Sequence, residues 1–317
     1  MRAPRGRRVF LAGLAALPGC AAASDRLAEA VALHAPSRPF LRPIGALEWN
    51  LAALDLGGVS GLHLAPDLTL TAITDQGRWI EARLTLDPLG LRDLRHGRLR
   101  DGAGQPLPRG RNADAEALAR LPDGSWLIAY ERWHRIRRHP RLDGPGLGFD
   151  APPGIEAAPS NGGLEALAAL PDGRLLAIAE ALPDEAPGTV SAWLGAPRGG
   201  RIAWDRRAYR PAAGFSPTDA TALGTGALVI ERRFSWLGGF EGRLVLVRDL
   251  AAPVLEGEAW LDLPPDGPAE NWEAASVTRH AGRTLLLLAT DDNRSSFQRS
   301  LLLLYEVTPA GLARAGG

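Results

Sequence analysis

The chain has 317 residues, of which 45% are hydrophobic and 23% charged, so it is long enough to bury a substantial core. Its 36 basic residues are all arginine, they balance 36 acidic residues, and Arg2, Arg5, Arg7 and Arg8 lie at the extreme N-terminus. The remainder of the chain is mildly acidic, so no nucleic-acid partner is expected.

The N-terminus has the features of an export signal. Basic residues are followed by a short apolar run and then by small residues, which predicts a signal segment over residues 1–23 and an exported, periplasmic protein. Arg7-Arg8 before Val9 resembles a twin-arginine signal, and Leu17-Pro18-Gly19-Cys20 resembles a lipobox in which Cys20 is lipidated. The alternative is that Cys20 is an incidental small residue. A lipid anchor is the only membrane attachment expected, because the apolar run is too short to span a bilayer.

Cys20 is the only cysteine of the chain. Residues 24–317, which we expect to form a single domain, therefore contain no disulfide, no cysteine-ligated metal and no cysteine nucleophile.

A repeated pattern follows along the chain. Each unit has an apolar run, a turn signal and a second, almost continuously apolar run, as in "EALARLPDGSWLIAYE" and "EALAALPDGRLLAIAE". Leu-Pro-Asp-Gly between short apolar runs predicts a β-hairpin, because Pro presets φ and Gly accepts positive φ. Alignment of five such units places these residues at equivalent positions: Ser60, Glu116, Glu165, Thr221 and Glu273.

Spacing of about 50 residues and two more amphipathic strand candidates after most hairpins match a four-stranded propeller blade. The sequence therefore predicts an all-β fold, a single β-propeller of five blades. The last unit has only one strand after its hairpin, whereas the apolar segment 44–54 precedes the first hairpin without a partner. We expect this N-terminal strand to close the ring, which removes an exposed sheet edge.

The hairpin geometry places many acidic residues at one end of the ring. If the turns lie at one end, Glu116 faces Glu131 at the other, and Glu165 faces Glu180 in the same way. The corresponding pairs in the other units are Ser60 with Asp75, Thr221 with Glu231, and Glu273 with Asp291 or Asp292. So many carboxylates must be paired with Arg, protonated or neutralised by a metal. The structural alternative is that they accept backbone hydrogen bonds and lock the sheets together.

Several stretches resemble the esterase-like, phytase-related family of exported bacterial proteins. They are "DAEALA…LPDG…YER", "GGLEALA…LPDG", "PTDATAL…IERRF" and "NWEAASV…LLLLATDDN…FQRSLLLLYEV", and they extend over most of residues 55–307. The resemblance implies a β-propeller, with six blades by analogy with calcium-dependent propeller phytases, and hydrolysis of a phosphate ester. The chain departs from those enzymes in having no lysine and fewer acids.

The leading hypothesis is a divalent-metal-dependent hydrolase of phosphate esters, with Ca²⁺ as the cation and a small anionic molecule as substrate, acting as a monomer. The predicted metal ligands are Asp75, Glu116, Glu165, Glu273 and Asp291. The predicted catalytic set is Arg132 and Arg232, which would clamp the phosphate, with Glu131, Glu180 and Glu231. The alternatives are a non-enzymatic binding propeller of the cell envelope and a lactonase-like propeller hydrolase.

Overall fold

A computed structural model describes residues 27–32, 38–263, 270–295 and 298–316. The predicted signal segment, with Cys20, lies outside these described residues. Within the described ranges, no helix is long and apolar enough to cross a membrane.

The structure is built almost entirely of strands. The first two are β1 (Ala28–Val31) and β2 (Leu41–Trp49). Sheet I consists of β3 (Val59–Leu64), β4 (Thr69–Thr74), β5 (Arg78–Leu86) and β6 (Leu89–Arg98). Sheet II consists of β7 (Ala115–Arg120), β8 (Trp126–Tyr130), β9 (Arg135–His139) and β10 (Leu147–Phe149). Sheet III consists of β11 (Leu164–Ala169), β12 (Leu175–Pro183), β13 (Val190–Arg198) and β14 (Arg201–Arg210). Sheet IV consists of β15 (Ser216–Leu223), β16 (Gly226–Ser235), β17 (Gly239–Val247) and β18 (Val254–Leu263). Sheet V contains β19 (Asn271–His280), β20 (Arg283–Asp291) and β21 (Leu301–Val307).

Three short helical elements complete the described chain. They are two 3-10 turns, Ala52–Leu54 and Ile155–Ala157, and the helix α1 (Pro309–Arg314).

Each sheet is an antiparallel meander in chain order, as predicted. Two joins extend this pattern. Sheets III and IV form one eight-stranded sheet, because β14 pairs in parallel with β18, and sheet V continues from β21 to β2 and then to β1. The pairing of β2 with β21 sets Leu47 opposite Leu302.

The predicted Leu-Pro-Asp-Gly hairpins are confirmed in sheets II and III. Gly124 has φ +85° and Gly173 has φ +83°, which is the left-handed region that favours glycine. In the first hairpin, the Gly124 N–H donates to the Leu121 carbonyl, and the Asp123 side chain accepts from the Ser125 N–H. The turn sequence therefore fixes both the direction reversal and the hairpin register.

The first strands of the sheets surround a common axis. Each contacts the next around the ring, from β3 through β7, β11 and β15 to β19, which contacts β3 again. The second strands pack behind them and are almost continuously buried; all five residues of β8 are buried. The all-β fold and the four-stranded antiparallel sheets of a β-propeller are thus confirmed.

Candidate active site

The first strands begin, and the second strands end, at the same end of the ring. We call this end the axial mouth. In all five hairpins, the register of the first strand shifts by one residue near this end. A shift of this kind leaves one residue unpaired, bends the strand and re-aims its side chain. The unpaired residues are Ser60, Glu116, Glu165, Thr218 and Glu273.

The second strands supply another set of side chains at the same level. The Glu131 N–H donates to the Asp114 carbonyl at 2.9 Å, and the Glu180 N–H to that of Gly163 at 2.8 Å. Each of these residues lies one position beyond the strand pair that borders the register shift. The residues at this second-strand position in the five sheets are Asp75, Glu131, Glu180, Arg232 and Asp291. Four acids and one arginine therefore surround the mouth behind the unpaired residues.

The predicted pairing of the strand-end acids is wrong. Glu131 lies opposite Asp114 rather than Glu116, and in sheet V Asp291 lies opposite Asn271 rather than Glu273. The register shift adds one residue to each first strand, which the sequence pattern does not reveal. In sheet IV the error is larger, since Glu231 lies opposite Pro217 and the unpaired residue is Thr218, not Thr221.

Among the described residues, eight carboxylates line the axial mouth, and we call them the acid cluster. They are Asp75, Asp114, Glu116, Glu131, Glu165, Glu180, Glu273 and Asp291. The buried Glu131 belongs to two tight groups, one with Asp114 and Glu116 and the other with Glu165 and Glu180. In each group, one oxygen from every carboxylate lies within 4.8 Å of the others.

Arg232 neutralises one side of the cluster. Its Nη2 donates to Glu180 at 3.1 Å, and its Nη1 donates to Asn271 at 2.8 Å and to Glu273. Burial by itself lowers the pKa of the guanidinium, but the carboxylates of Glu273 and Glu180 outweigh it and leave that pKa raised. Arg232 is therefore a fixed positive charge between sheets III and V.

Arg132 holds the outer edge of the cluster on the opposite side. Its Nε donates to Asp114 at 2.5 Å, its Nη1 donates to Asn161, and Nε lies 3.9 Å from Glu131. The backbone of Arg132 has φ +61°, which turns the chain sharply just after β8. Within the described part of the chain, Nη2 of Arg132 has no hydrogen-bond partner.

Glu116 and Glu165 have no direct partner of this kind, although the charge of Arg232 acts on Glu165 from a distance and lowers its pKa in part. Neither side chain forms a hydrogen bond or an ion pair with another described residue. Burial, followed by the neighbouring carboxylates, raises the pKa of both well above the usual value. Both groups are therefore easier to protonate than an ordinary glutamate, and a bound cation would favour their charged forms.

Three more members of the cluster titrate near neutrality. Burial, reinforced by neighbouring acids, raises the pKa of Asp75 to about 7. Burial also raises the pKa of Glu273 to about 7 in spite of Arg232, and that of Asp291 to about 6. Proton exchange at neutral pH is thus available at several points of the mouth.

Asp75 is held against a glycine backbone. A Cβ on Gly58, where φ is +72°, would lie only 2.1 Å from Asp75 Oδ1. That oxygen is buried and has no hydrogen-bond partner among the described residues. An unsatisfied buried carboxylate oxygen is costly, and a proton or a cation would relieve it.

Other acids near the mouth have structural partners. Glu231, predicted to be catalytic, is buried away from the cluster, where it accepts from the Tyr209 hydroxyl at 2.6 Å and lies 3.6 Å from Arg243. Asp219 accepts from the backbone N–H groups of Ala220 and Ala275 at 2.8 and 2.7 Å. Asp292 accepts from the Ser300 hydroxyl at 2.7 Å.

The structure therefore brings together nine of the ten residues predicted for the site and leaves out Glu231. Asp114 joins them as a full member of the acid cluster. Asp114 lies two residues before Glu116 in the sequence, and the shifted register brings Asp114 opposite Glu131.

Comparisons with known proteins give a family and a fold. The family model described as "Phytase-like: Esterase-like activity of phytase" matches residues 54–294. The chain matches no curated protein.

Two solved structures are similar to the chain. The α-L-arabinofuranosidase of Podospora anserina, in complex with cellotriose, is 10% identical with a TM-score of 0.54, over 86% of this chain and 98% of that one. A gluconolactonase of Xanthomonas campestris is 15% identical with a TM-score of 0.47, over 88% of this chain and 97% of that one. The likeness to the arabinofuranosidase concerns the fold alone.

Proposed function

Because the chain belongs to the phytase-like family described by an esterase-like activity of phytase, we propose that it is a hydrolase that cleaves esters at the axial mouth with the help of a divalent cation. One observation carries the proposal. Glu131 lies in two groups of three carboxylates whose oxygens are within 4.8 Å of one another. Such crowding is unfavourable for charged groups at low dielectric and is favourable around a cation.

The donor set suits a hard cation. Carboxylate oxygens from Glu131 and from its two groups, Asp114 with Glu116 and Glu165 with Glu180, would hold the ion. Calcium is the first candidate, because it accepts six to eight oxygen ligands in irregular geometry. When bound, such an ion polarises a phosphoryl or carbonyl oxygen and lowers the pKa of water.

The arginines have distinct roles in this proposal. Nη2 of Arg132 has no hydrogen-bond partner among the described residues, so Arg132 is placed to bind an anionic group of the substrate. Both terminal nitrogens of Arg232 are engaged with Glu180, Glu273 and Asn271, so it positions those groups. Asp75 and Glu273, with pKa values of about 7, are the candidates for proton transfer.

We propose a small phosphate ester as the substrate class, since a cation flanked by Arg132 suits a phosphoryl group. The test is hydrolysis of p-nitrophenyl phosphate, bis-p-nitrophenyl phosphate, p-nitrophenyl acetate and a γ-lactone, with chelator and with added Ca²⁺. The proposal expects phosphate-ester hydrolysis that chelator abolishes and Ca²⁺ restores. Activity that resists chelator, or lactone hydrolysis alone, would contradict it.

A second candidate is a binding propeller without hydrolytic activity. Its support is that Arg132 and Arg232 already hold Asp114, Glu180 and Glu273 in ion pairs. Ca²⁺ binding without turnover of any of the four substrates would favour this candidate.

The remaining expectations are carried forward as proposals. We infer a ring of five blades closed by β2, supported by the pairing of β2 with β21 and by the cycle of first-strand contacts. We also propose that residues 24–317 are a monomeric domain exported to the periplasm, with Cys20 as the site of lipidation.

A further inference from the structure

The hairpin of β16 and β17 extends beyond the axial mouth. Arg232 is at the level of the acid cluster, yet strand pairing continues past it through Phe234 opposite Phe240 and Ser235 opposite Gly239. In sheet II, by contrast, β8 ends one residue before Glu131. Sheet IV therefore presents a protruding hairpin at the mouth.

The tip of this hairpin is strongly apolar and exposed. Trp236 is 94% exposed, Leu237 is fully exposed, and Phe234 is 53% exposed. The tip is also ordered locally, because the Gly238 N–H donates to the Ser235 hydroxyl at 2.9 Å and the Phe234 ring packs edge-on against Trp236. Exposed apolar groups held in one conformation mark an interaction surface.

Another exposed aromatic side chain follows sheet II at the same face. Trp133 is 61% exposed and comes two residues after Glu131, as Phe234 comes two residues after Arg232. Arg111, in the loop before β7, is exposed and has no ion pair with any described residue. Tryptophan with arginine nearby is the composition of surfaces that contact lipid headgroups.

The N-terminal part of the chain also joins the domain at this face. Leu27, the first described residue, accepts from the Asn50 N–H at 3.0 Å. The backbone N–H of Trp49 donates to the backbone carbonyl of Ser300, and the Ser300 hydroxyl donates to Asp292 beside the acid cluster. Leu27, which follows the proposed lipid-attachment site Cys20 by seven residues in the sequence, therefore lies on the side of the mouth.

We propose that the axial face docks on a lipid bilayer surface. Trp236 and Leu237 enter the interfacial region, and Trp133 and Arg111 contact headgroups on the other side of the mouth. The mouth then opens toward the lipid surface. The proposal stands on the hairpin and on the entry of the chain, and it does not depend on hydrolytic activity.

Vesicle partition tests the proposal. The full chain is prepared with Cys20→Ser, so that no lipid is attached, and its partition into vesicles of phosphatidylcholine with about one third phosphatidylglycerol is measured by sedimentation. A Trp236→Ser, Leu237→Ser variant is expected to lower the partition coefficient by about tenfold or more. Leu147→Ser is the control, because Leu147 is exposed on β10, opposite Arg138 and away from the mouth.

Unchanged partition of the tip variant, or an equal loss with the control, would overturn the proposal. Lipids brominated along the acyl chain should quench more tryptophan fluorescence in the parent than in Trp236→Phe, which tests insertion without disrupting the tip. Analytical ultracentrifugation tests the alternative that the hairpin binds a second copy of the chain. Self-association that the tip variant abolishes, with no vesicle binding, would assign the hairpin to a second copy of the chain.

Discussion

The two sides of the axial mouth carry the same kinds of side chain but differ in what balances their charge. Between sheets III and V, Arg232 replaces an acid at the second-strand position and binds Glu180, Glu273 and Asn271. Between sheets II and III, Glu116 and Glu165 have no partner among the described residues, while Glu131 lies close to both groups. A single position, occupied by arginine in one sheet and by Glu131 in another, creates this difference.

The comparison indicates where the proposed ion would bind. Arg232 acts as a permanent internal cation, so its side of the mouth is satisfied without a ligand. Among the described residues, the other side has no arginine hydrogen-bonded to Glu116 or Glu165, so protons or a metal ion would relieve the repulsion there. Arg132 reaches only the rim of that side, through Asp114.

The largest expected effect comes from removing charge on the uncompensated side. Glu116→Gln with Glu165→Gln should weaken Ca²⁺ binding by about a hundredfold or more, because two charged ligands are lost while the shape is kept. Isothermal titration calorimetry measures the affinity. Glu256→Gln, in an exposed ion pair with Arg210 on sheets III and IV, is the matched control and should leave the affinity unchanged. Retention of full affinity by the double variant would remove these residues from the site.

Arg232→Gln should convert the compensated side into one that needs a cation. At neutral pH without metal, we expect the free energy of unfolding to fall by about 2–3 kcal/mol, because Glu180 and Glu273 lose their shared partner. Chemical denaturation with and without Ca²⁺ measures this effect, and added Ca²⁺ should recover part of the loss. The surface replacement Arg210→Gln should cost less than about 1 kcal/mol. A loss as small for Arg232→Gln would mean that the pair does not stabilise the mouth.

The metal-free protein should become less stable as pH rises from about 4 to 7. The folded state keeps Asp75 and Glu273 protonated up to a pKa of about 7, whereas the unfolded chain loses these protons near pH 4. Their contribution to stability is therefore present at low pH and disappears as pH rises through the folded pKa. Thermal melts in chelator across this range measure the trend.

Calcium should reverse that trend, because the ion binds the deprotonated carboxylates. Stabilisation by Ca²⁺ should be small near pH 5 and grow toward pH 8. A calcium effect independent of pH would show that the ion binds elsewhere.

The smallest effect is expected at an acid that lies close by but has a structural role. Asp219→Asn should cost about 1–2 kcal/mol in stability, since one of its two backbone donors would then face an amide N–H₂ group. Ca²⁺ affinity should stay unchanged in calorimetry. A large loss of affinity would extend the ion site into sheet IV.

The sequence was sufficient to predict the sheet architecture and the common end of the acids. The turn residues Gly124 and Gly173 predict the two hairpins, and the continuous apolar second runs predict buried strands. These signals are local, so they survive without any knowledge of the fold.

The register at the mouth could not be predicted in the same way. A one-residue shift at Glu116 or Thr218 leaves no mark in composition, but it exchanges the sides to which neighbouring side chains point. The sequence pattern alone makes Glu231 equivalent to Glu131, whereas Arg232 occupies that position in the structure. The protruding tip at Trp236 was likewise hidden, because Phe and Trp in the sequence are equally consistent with packing between sheets.

The central claim is that a divalent cation binds at the carboxylates around Glu131, where neither Glu116 nor Glu165 has a hydrogen-bond partner among the described residues. The most direct measurement is an anomalous difference map from crystals of the protein grown or soaked with Mn²⁺ or a lanthanide as a calcium substitute. The account predicts a strong peak between Glu116, Glu131 and Glu165. Full soaking with no peak there, or a peak only at a surface site, would contradict it.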